Sequence, residues 1–162
     1  MPGRELIRPV SSVADVAAAR ALFEEYAAGL RVDLCFQGFA QELESLPGAY
    51  APPRGRLLLA GVAAAPAGCV ALRPLPPDGA TTAVAEIKRL YVRPAGRGSG
   101  LGTALARAIV AEARAIGYRE LKLDTLSSMT AAQALYRSLG FRECAAYYHN
   151  PLGGTVYMAL AL

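Results

Sequence analysis

The chain reads as a single mixed α/β domain, a β-sheet with helices on its faces, and three observations predict it. Strand-length apolar runs alternate with longer segments whose apolar residues recur at helical spacing, in the order β-α-α-β-β-β-α-β-α-β-β. Of 162 residues, 54% are hydrophobic and 19% charged, which is enough apolar material for a sizeable core. No internal repeat and no linker divides the sequence, so one domain over residues 1–162 is expected.

Leu6 to Val10 reads as a short first strand. Ser11 or Ser12 can cap a helix from about Val13 to Leu30, with Asp15 near its positive end. Val13, Val16, Ala17, Leu22, Phe23, Tyr26 and Leu30 supply its apolar face. A shorter helix is expected around Gly38 to Leu46, stopped before Pro47. Arg56 to Ala64 and Cys69 to Arg73 are apolar runs joined through Ala65-Pro-Ala-Gly, which reads as a hairpin turn. Ala83 to Val92 is the fourth strand. Gly100 to about Ile116 is helical, with Leu101, Leu105, Ala108, Ile109 and Glu112 at helical intervals and Gly117 as its stop. Glu120 to Thr125 alternates apolar and polar, as a strand does. Met129 to Leu139 is a further helix, ended by Gly140, with Phe141 available to pack back onto it. Phe141 to Tyr148 and Thr155 to Leu162 are closing strands.

The formal net charge is +4, but the basic residues are scattered, without the runs or interleaved aromatics of a nucleic-acid surface. No stretch approaches the roughly 18 apolar residues of a membrane span. The first ten residues hold no signal-peptide core, which suits a cytoplasmic protein. Cys35, Cys69 and Cys144 are odd in number and widely spaced, so reduced thiols are expected rather than a disulfide framework or metal site. One histidine, His149, and no clustered carboxylates give no metal site either.

Between the fourth strand and the next helix stand four glycines at every second position from Gly96 to Gly102. A helix N-terminus offers amide N–H groups without intrahelical partners and a partial positive charge. Glycine lets an anion approach that backbone closely, and Arg97 adds a cation, so the loop fits a pyrophosphate. The spacing matches neither GxGxxG nor GxxxxGK[ST], because Leu101, Thr103 and Leu105 stand where glycine would be needed and no lysine follows. A strand-to-helix turn that binds nothing would carry the same glycines.

Arg97-x-x-Gly100-x-Gly102 resembles the R/Q-x-x-G-x-G/A motif of the GNAT superfamily of acyl-CoA-dependent N-acyltransferases. Ala132-x-x-Leu135-Tyr136-x-x-x-Gly140-Phe141 is similar to a second segment of that family, at the usual distance downstream. The element order agrees from Leu6 onward, and the motif match runs from Glu86 to Phe141. The resemblance implies a mostly antiparallel sheet of about seven strands with about four helices, splayed between strands four and five. It implies acetyl-CoA as co-substrate, with no metal. The contacts it carries over are Leu90, Tyr91, Val92, Arg97, Gly98, Ser99, Gly100, Leu101, Gly102 and Thr103. An open strand edge also suits the amides of a pantetheine arm.

Acyl transfer to an amine needs the amine neutral, although its pKa is about 10.4, the oxyanion stabilised, and the leaving thiolate protonated. Glu86 resembles in position the strand-four glutamate that serves as base in some relatives, either directly or through water; the competing reading pairs it with Lys88 or Arg89. Tyr136 is the candidate acid, since a phenol stays protonated at neutral pH. The N–H of Leu90 or Val92 would polarise the thioester carbonyl. Relatives often carry asparagine where this chain has Met129. Tyr26, Asp33, the Cys35-Phe36-Gln37-Gly38-Phe39 stretch and Tyr147-Tyr148 are candidates for the acceptor side, with Tyr26, Gln37 and Tyr148 chosen as substrate contacts. Arg73 or Arg89 would suit an acceptor carboxylate, though a salt bridge is the commoner fate of an arginine. The expected acceptor is a small-molecule or peptide amine; a homodimer is left open. The competing class is a module that binds coenzyme A as a sensor or scaffold without turnover; a nucleotide-binding Rossmann-type protein is disfavoured by the glycine spacing.

Overall fold

The structure, a computed structural model, describes residues 7–30, 33–34, 38–62, 65–76, 83–151 and 153–162. Its elements are β1 (Ile7–Pro9), α1 (Val13–Leu30), α2 (Phe39–Ser45), β2 (Arg56–Val62), β3 (Ala65–Pro74), β4 (Val84–Val92), α3 (Leu101–Ile116), β5 (Glu120–Leu126), α4 (Thr130–Ser138), β6 (Arg142–Glu143) and β7 (Thr155–Ala161). The seven strands form one sheet in the order β1-β2-β3-β4-β5-β7-β6. Every pairing is antiparallel except β4 with β5. Among the described residues, no helix is long and apolar enough to cross a membrane.

Ser12 caps α1, its hydroxyl accepting the Asp15 N–H at 3.1 Å. Asp15 in turn accepts from the Ser11 N–H and pairs with Arg8 at 2.7 Å. The Arg8 bond, first, and the Ser11 N–H, next, hold its carboxyl below the ordinary aspartate range. The apolar face of α1 is Ala19, Leu22 and Phe23; Val13 and Ala17 are exposed, because helical spacing turns them away from that face. In α3, six apolar residues from Leu101 to Ala113 are buried, and Glu112 leaves that face to pair with Arg56 at 2.8 Å. Gly117 ends α3 at φ +110°.

The sheet separates two cores. On one face Leu58, Val70, Leu72, Ile87, Leu121 and Leu123 meet α3 and the buried Tyr136 and Phe141. On the other, Leu57, Leu59, Cys69 and Ala71 meet α1, α2 and Tyr50.

Two expected boundaries move. Ala65 to Gly68 belongs to β3 rather than to a turn, because Ala65 and Pro66 pair with Val62 and Gly61 across a register shift. The expected strand from Phe141 to Tyr148 shrinks to Arg142–Glu143, since Tyr147 and Tyr148 turn inward to bond carboxylates of β4 and β5.

The feature that positions the site is in β4. Cys69 pairs with Tyr91 and Ala71 with Lys88, so Val70 alone stands against Arg89 and Leu90. Arg89 absorbs this bulge at φ +60°. A one-residue bulge inverts the alternation of side chains. Lys88 and Arg89 consequently share the α1/α2 face, while Leu90 and Val92 pack toward α3.

Candidate active site

β4 and β5 pair only at Val84, Ala85 and Glu86, opposite Glu120, Leu121 and Lys122. Beyond Glu86 the two strands separate, so the β4 backbone from Ile87 to Val92 keeps β3 on one side and has an open edge on the other. A cleft runs down this edge, lined by Leu90, Tyr91, Val92, Arg97 and Gly102 on one wall and by Met129 to Ala132 with Leu135 on the opposite one. It continues into a cavity at the split of the sheet that shares Tyr26, Leu30, Leu90, Leu126, Met129 and Ala132 with it.

The glycine loop forms the mouth of the cleft. Pro94–Gly96 makes a 3₁₀ turn, and the Ser99 hydroxyl donates to the Gly96 carbonyl at 2.6 Å. Gly98 and Gly100 have φ of +81° and +85°, with nothing within 4 Å of where a Cβ would stand. Backbone conformation, not space, therefore selects glycine at both positions. Gly100 begins α3 without a side-chain cap, and the first intrahelical bond runs from Ala104 N–H to the Gly100 carbonyl. Donors ahead of it face the loop, with the positive end of a 16-residue helix behind them. Arg97 donates to the Val92 carbonyl at 3.0 Å and stands over the Tyr91 ring at 5.8 Å. Leu101 is buried, so only its backbone faces the loop.

Tyr136 lines the cavity from α4, edge-on to Phe141 at 5.5 Å. Burial, chiefly, and then Tyr26 and Asp124 raise its pKa above the ordinary tyrosine value, so its proton is retained across the neutral range. Met129, at the expected asparagine position, begins α4 and lines both cleft and cavity. Gln133 holds the β5–α4 turn in its place, donating to the Leu126 and Ser127 carbonyls.

Glu86 is differently situated from the sequence expectation. It is 1% exposed and does not line the cavity. One carboxylate oxygen accepts from Arg73 at 2.8 Å and the other from the Tyr147 hydroxyl. Its partner is thus the cross-strand Arg73 rather than Lys88 or Arg89, because Arg73 stands directly opposite it in the β3–β4 register. Both carboxylate oxygens of Glu86 thus have partners within the fold. Arg89 is likewise committed, in a two-pronged contact with Glu42 at 2.9 Å for each bond, with Phe39 and Tyr26 rings beside its guanidinium. Neither arginine is open to an acceptor carboxylate.

Among the described residues, the carboxylate that does line the cavity is Asp124, which its sequence setting does not mark out. It lies 3.5 Å from Lys88 and accepts from the Tyr148 hydroxyl at 2.7 Å. Asn150 donates to the same hydroxyl. Tyr148 therefore reaches the site through Asp124, and Tyr26 lines both cavity and cleft. Cys35, Phe36 and Gln37 lie outside the described residues. His149 is exposed and Cys69 is buried in the core.

Burial, before any other cause, also raises Tyr50 and Tyr147. Phenols that stay neutral in the folded chain but ionise when it unfolds contribute stability that is complete below about pH 10 and is lost above it. The buried Cys69 thiol, also raised by burial, begins this loss at about pH 8.5 and the phenols steepen it above about pH 10, so the urea midpoint is expected to fall with rising pH, each such group removing up to about 1.4 kcal/mol per pH unit. A midpoint unchanged to pH 11 would contradict these assignments.

The comparisons agree with this geometry. The model of the acetyltransferase (GNAT) family matches residues 18–141. The chain is similar to an uncharacterized N-acetyltransferase of Schizosaccharomyces pombe, 38% identical over 99% of this chain and 97% of the relative. An uncharacterized N-acetyltransferase of Dictyostelium discoideum is 28% identical over 90% and 94% of the two chains. Among solved structures, an acetyltransferase from Streptococcus agalactiae shares the fold at TM-score 0.79 and 19% identity, covering 99% of each chain. A GNAT family acetyltransferase from Elizabethkingia anophelis, solved with acetyl-CoA bound, aligns with TM-score 0.55 at 24% identity over 67% of this chain and 77% of that one.

Proposed function

The chain belongs to the GNAT family of acyl-CoA-dependent acetyltransferases, and from that premise we propose that it acetylates the primary amine of a small molecule or peptide by direct attack with both substrates bound. The observation that carries this reading is the open β4 edge from Ile87 to Val92, leading into the uncapped start of α3 at Gly100. That edge and that helix end fit a ligand made of a chain of amides ending in a diphosphate. When bound, acetyl-CoA supplies an activated thioester. Backbone amides from Gly98 to Thr103, with Ser99, Gly100, Leu101 and Gly102 between them, hold the diphosphate, and Arg97 adds charge beside it. Leu90, Tyr91 and Val92 align the amide arm along the cleft, and the Leu90 or Val92 N–H polarises the acyl oxygen. Tyr136 holds the proton that the departing sulfur needs. Glu86 acts one layer behind the cavity, fixing Tyr147 and Arg73.

The test is thiol release from acetyl-CoA across a panel of primary amines, beside calorimetry of coenzyme A. The expected result is binding together with amine-dependent release. Binding without release for any amine would make the protein a coenzyme A sensor or scaffold, and absence of binding would end the reading altogether.

A further inference from the structure

Three ion pairs lie on the sheet face covered by α1 and α2: Arg73 with Glu86 at 2.8 Å, Arg89 with Glu42 at 2.9 Å and Lys88 with Asp124 at 3.5 Å. Their charges cancel. Among the described residues, the charged groups lining the acceptor cavity are Lys88, Arg89 and Asp124. Arg89 is neutralised by its two-pronged contact with Glu42, which leaves the Lys88–Asp124 doublet facing the cavity. That pair is also the longest of the three. Tyr148, steadied by Asn150, fixes the carboxylate, and Lys88, itself disfavoured as a charge by burial, is attracted first by Glu86 and then by Asp124.

A ligand entering a balanced, poorly solvated charge array is favoured when it is itself net neutral. A plain ammonium would gain Asp124 but would lie beside the Lys88 ammonium, a like charge in a medium that screens weakly. A zwitterion replaces the long Lys88–Asp124 contact with two charge-assisted ones and leaves the balance unchanged. We propose that the acceptor is an α-amino acid, its ammonium docked on Asp124 and its carboxylate on Lys88. Leu30, Leu34 and the Tyr26 ring, which line the same cavity, suit an aliphatic side chain. This rests on the acetyltransferase reading above.

Asp124 is then also the proton acceptor. One ammonium N–H bond breaks and an O–H bond forms on Asp124. The freed nitrogen lone pair makes the C–N bond as the C–S bond breaks. The sulfur takes the Tyr136 proton, the second nitrogen proton restores Tyr136, and the Asp124 proton leaves to water, so one proton is released per turnover.

The experiment uses three probes of one shape: L-methionine, L-methioninamide and 3-(methylthio)propylamine. Their binding to the whole protein without acyl donor is measured by calorimetry, and thiol release is measured separately. L-methionine is expected to bind at least about 30-fold more tightly than either of the others, in line with the cost of leaving a buried charge unpaired. Lys88→Met is expected to collapse that ratio toward one, and Lys88→Arg to restore part of it; retained coenzyme A binding shows that each variant is folded. Asp124→Asn is expected to weaken L-methionine and the amine alike. Equal or tighter binding of the amine, a ratio unaffected by Lys88→Met, or no binding of any probe overturns the proposal. If L-methionine binds as expected but neither it nor any other primary amine releases thiol, the doublet stands as an amino-acid site and the acetyltransferase reading is the one that fails.

Discussion

Tyr136→Phe is expected to lower kcat by about 10²–10³-fold while leaving the affinity for coenzyme A almost unchanged. The ring stays edge-on to Phe141 in the core, so the substitution removes a hydroxyl and little packing. Stability should change by no more than about 1 kcal/mol. A defect confined to kcat is therefore the signature of a lost proton donor rather than of a damaged fold. The pH dependence sharpens this. Burial, with Tyr26 and Asp124, raises the Tyr136 pKa, so the acid form persists as pH rises through the neutral range. No alkaline limb of the wild-type rate below about pH 10 belongs to this residue. Steady-state kinetics from pH 6 to 9.5 on both proteins checks it: the two profiles should run parallel, offset by the loss. A variant within threefold of wild type removes Tyr136 from proton delivery.

Much of the frame was legible because it depends on local chemistry. The Gly98 and Gly100 conformations are properties of a few residues, and they read directly as a loop that must bend where L side chains strain. The alternation in Glu120–Leu126 is visible in the sequence and recurs as alternating burial in β5. The Tyr136–Phe141 pair follows from a helix stopped by glycine. The polar half of the site was not legible, because it depends on register. Lys88 and Asp124 look like the solvated side of two strands, and only the covering by Tyr26 and Leu30 of α1 and the inward-turned Tyr148 makes them line a cavity. The partner of Glu86 is set by the β3–β4 alignment, which no neighbour in sequence reveals. Arg89 shows the difficulty most plainly. Strict alternation assigns it to the face opposite Lys88, and a single bulged residue reverses that.

The bulge also carries the largest expected effect on stability, through Glu42. Arg89 is held at φ +60°, a conformation that costs a non-glycine residue on the order of 1–3 kcal/mol. Its side chain is 2% exposed, and a guanidinium cannot shed its proton to escape burial. Burial alone would push its pKa down; the Glu42 bonds, aided by Tyr50 and Tyr26, reverse that and leave it raised. Glu42→Ala therefore strands a buried cation on a strained backbone, and the expected loss is about 3–5 kcal/mol in urea unfolding. Arg89→Met in the same chain removes the stranded charge while keeping an apolar stem, so the double variant should recover most of the loss although it lacks both partners. Acetyl transfer need not recover with it, because Leu90 takes its direction from the bulge and its N–H is the proposed donor to the acyl oxygen. Stability restored without activity would tie the Arg89–Glu42 pair to the geometry of β4 as well as to its energy. A Glu42→Ala loss below about 1 kcal/mol, the range of an exposed pair, would instead mean that water reaches Arg89 and that the bulge is held by the β3–β4 ladder alone.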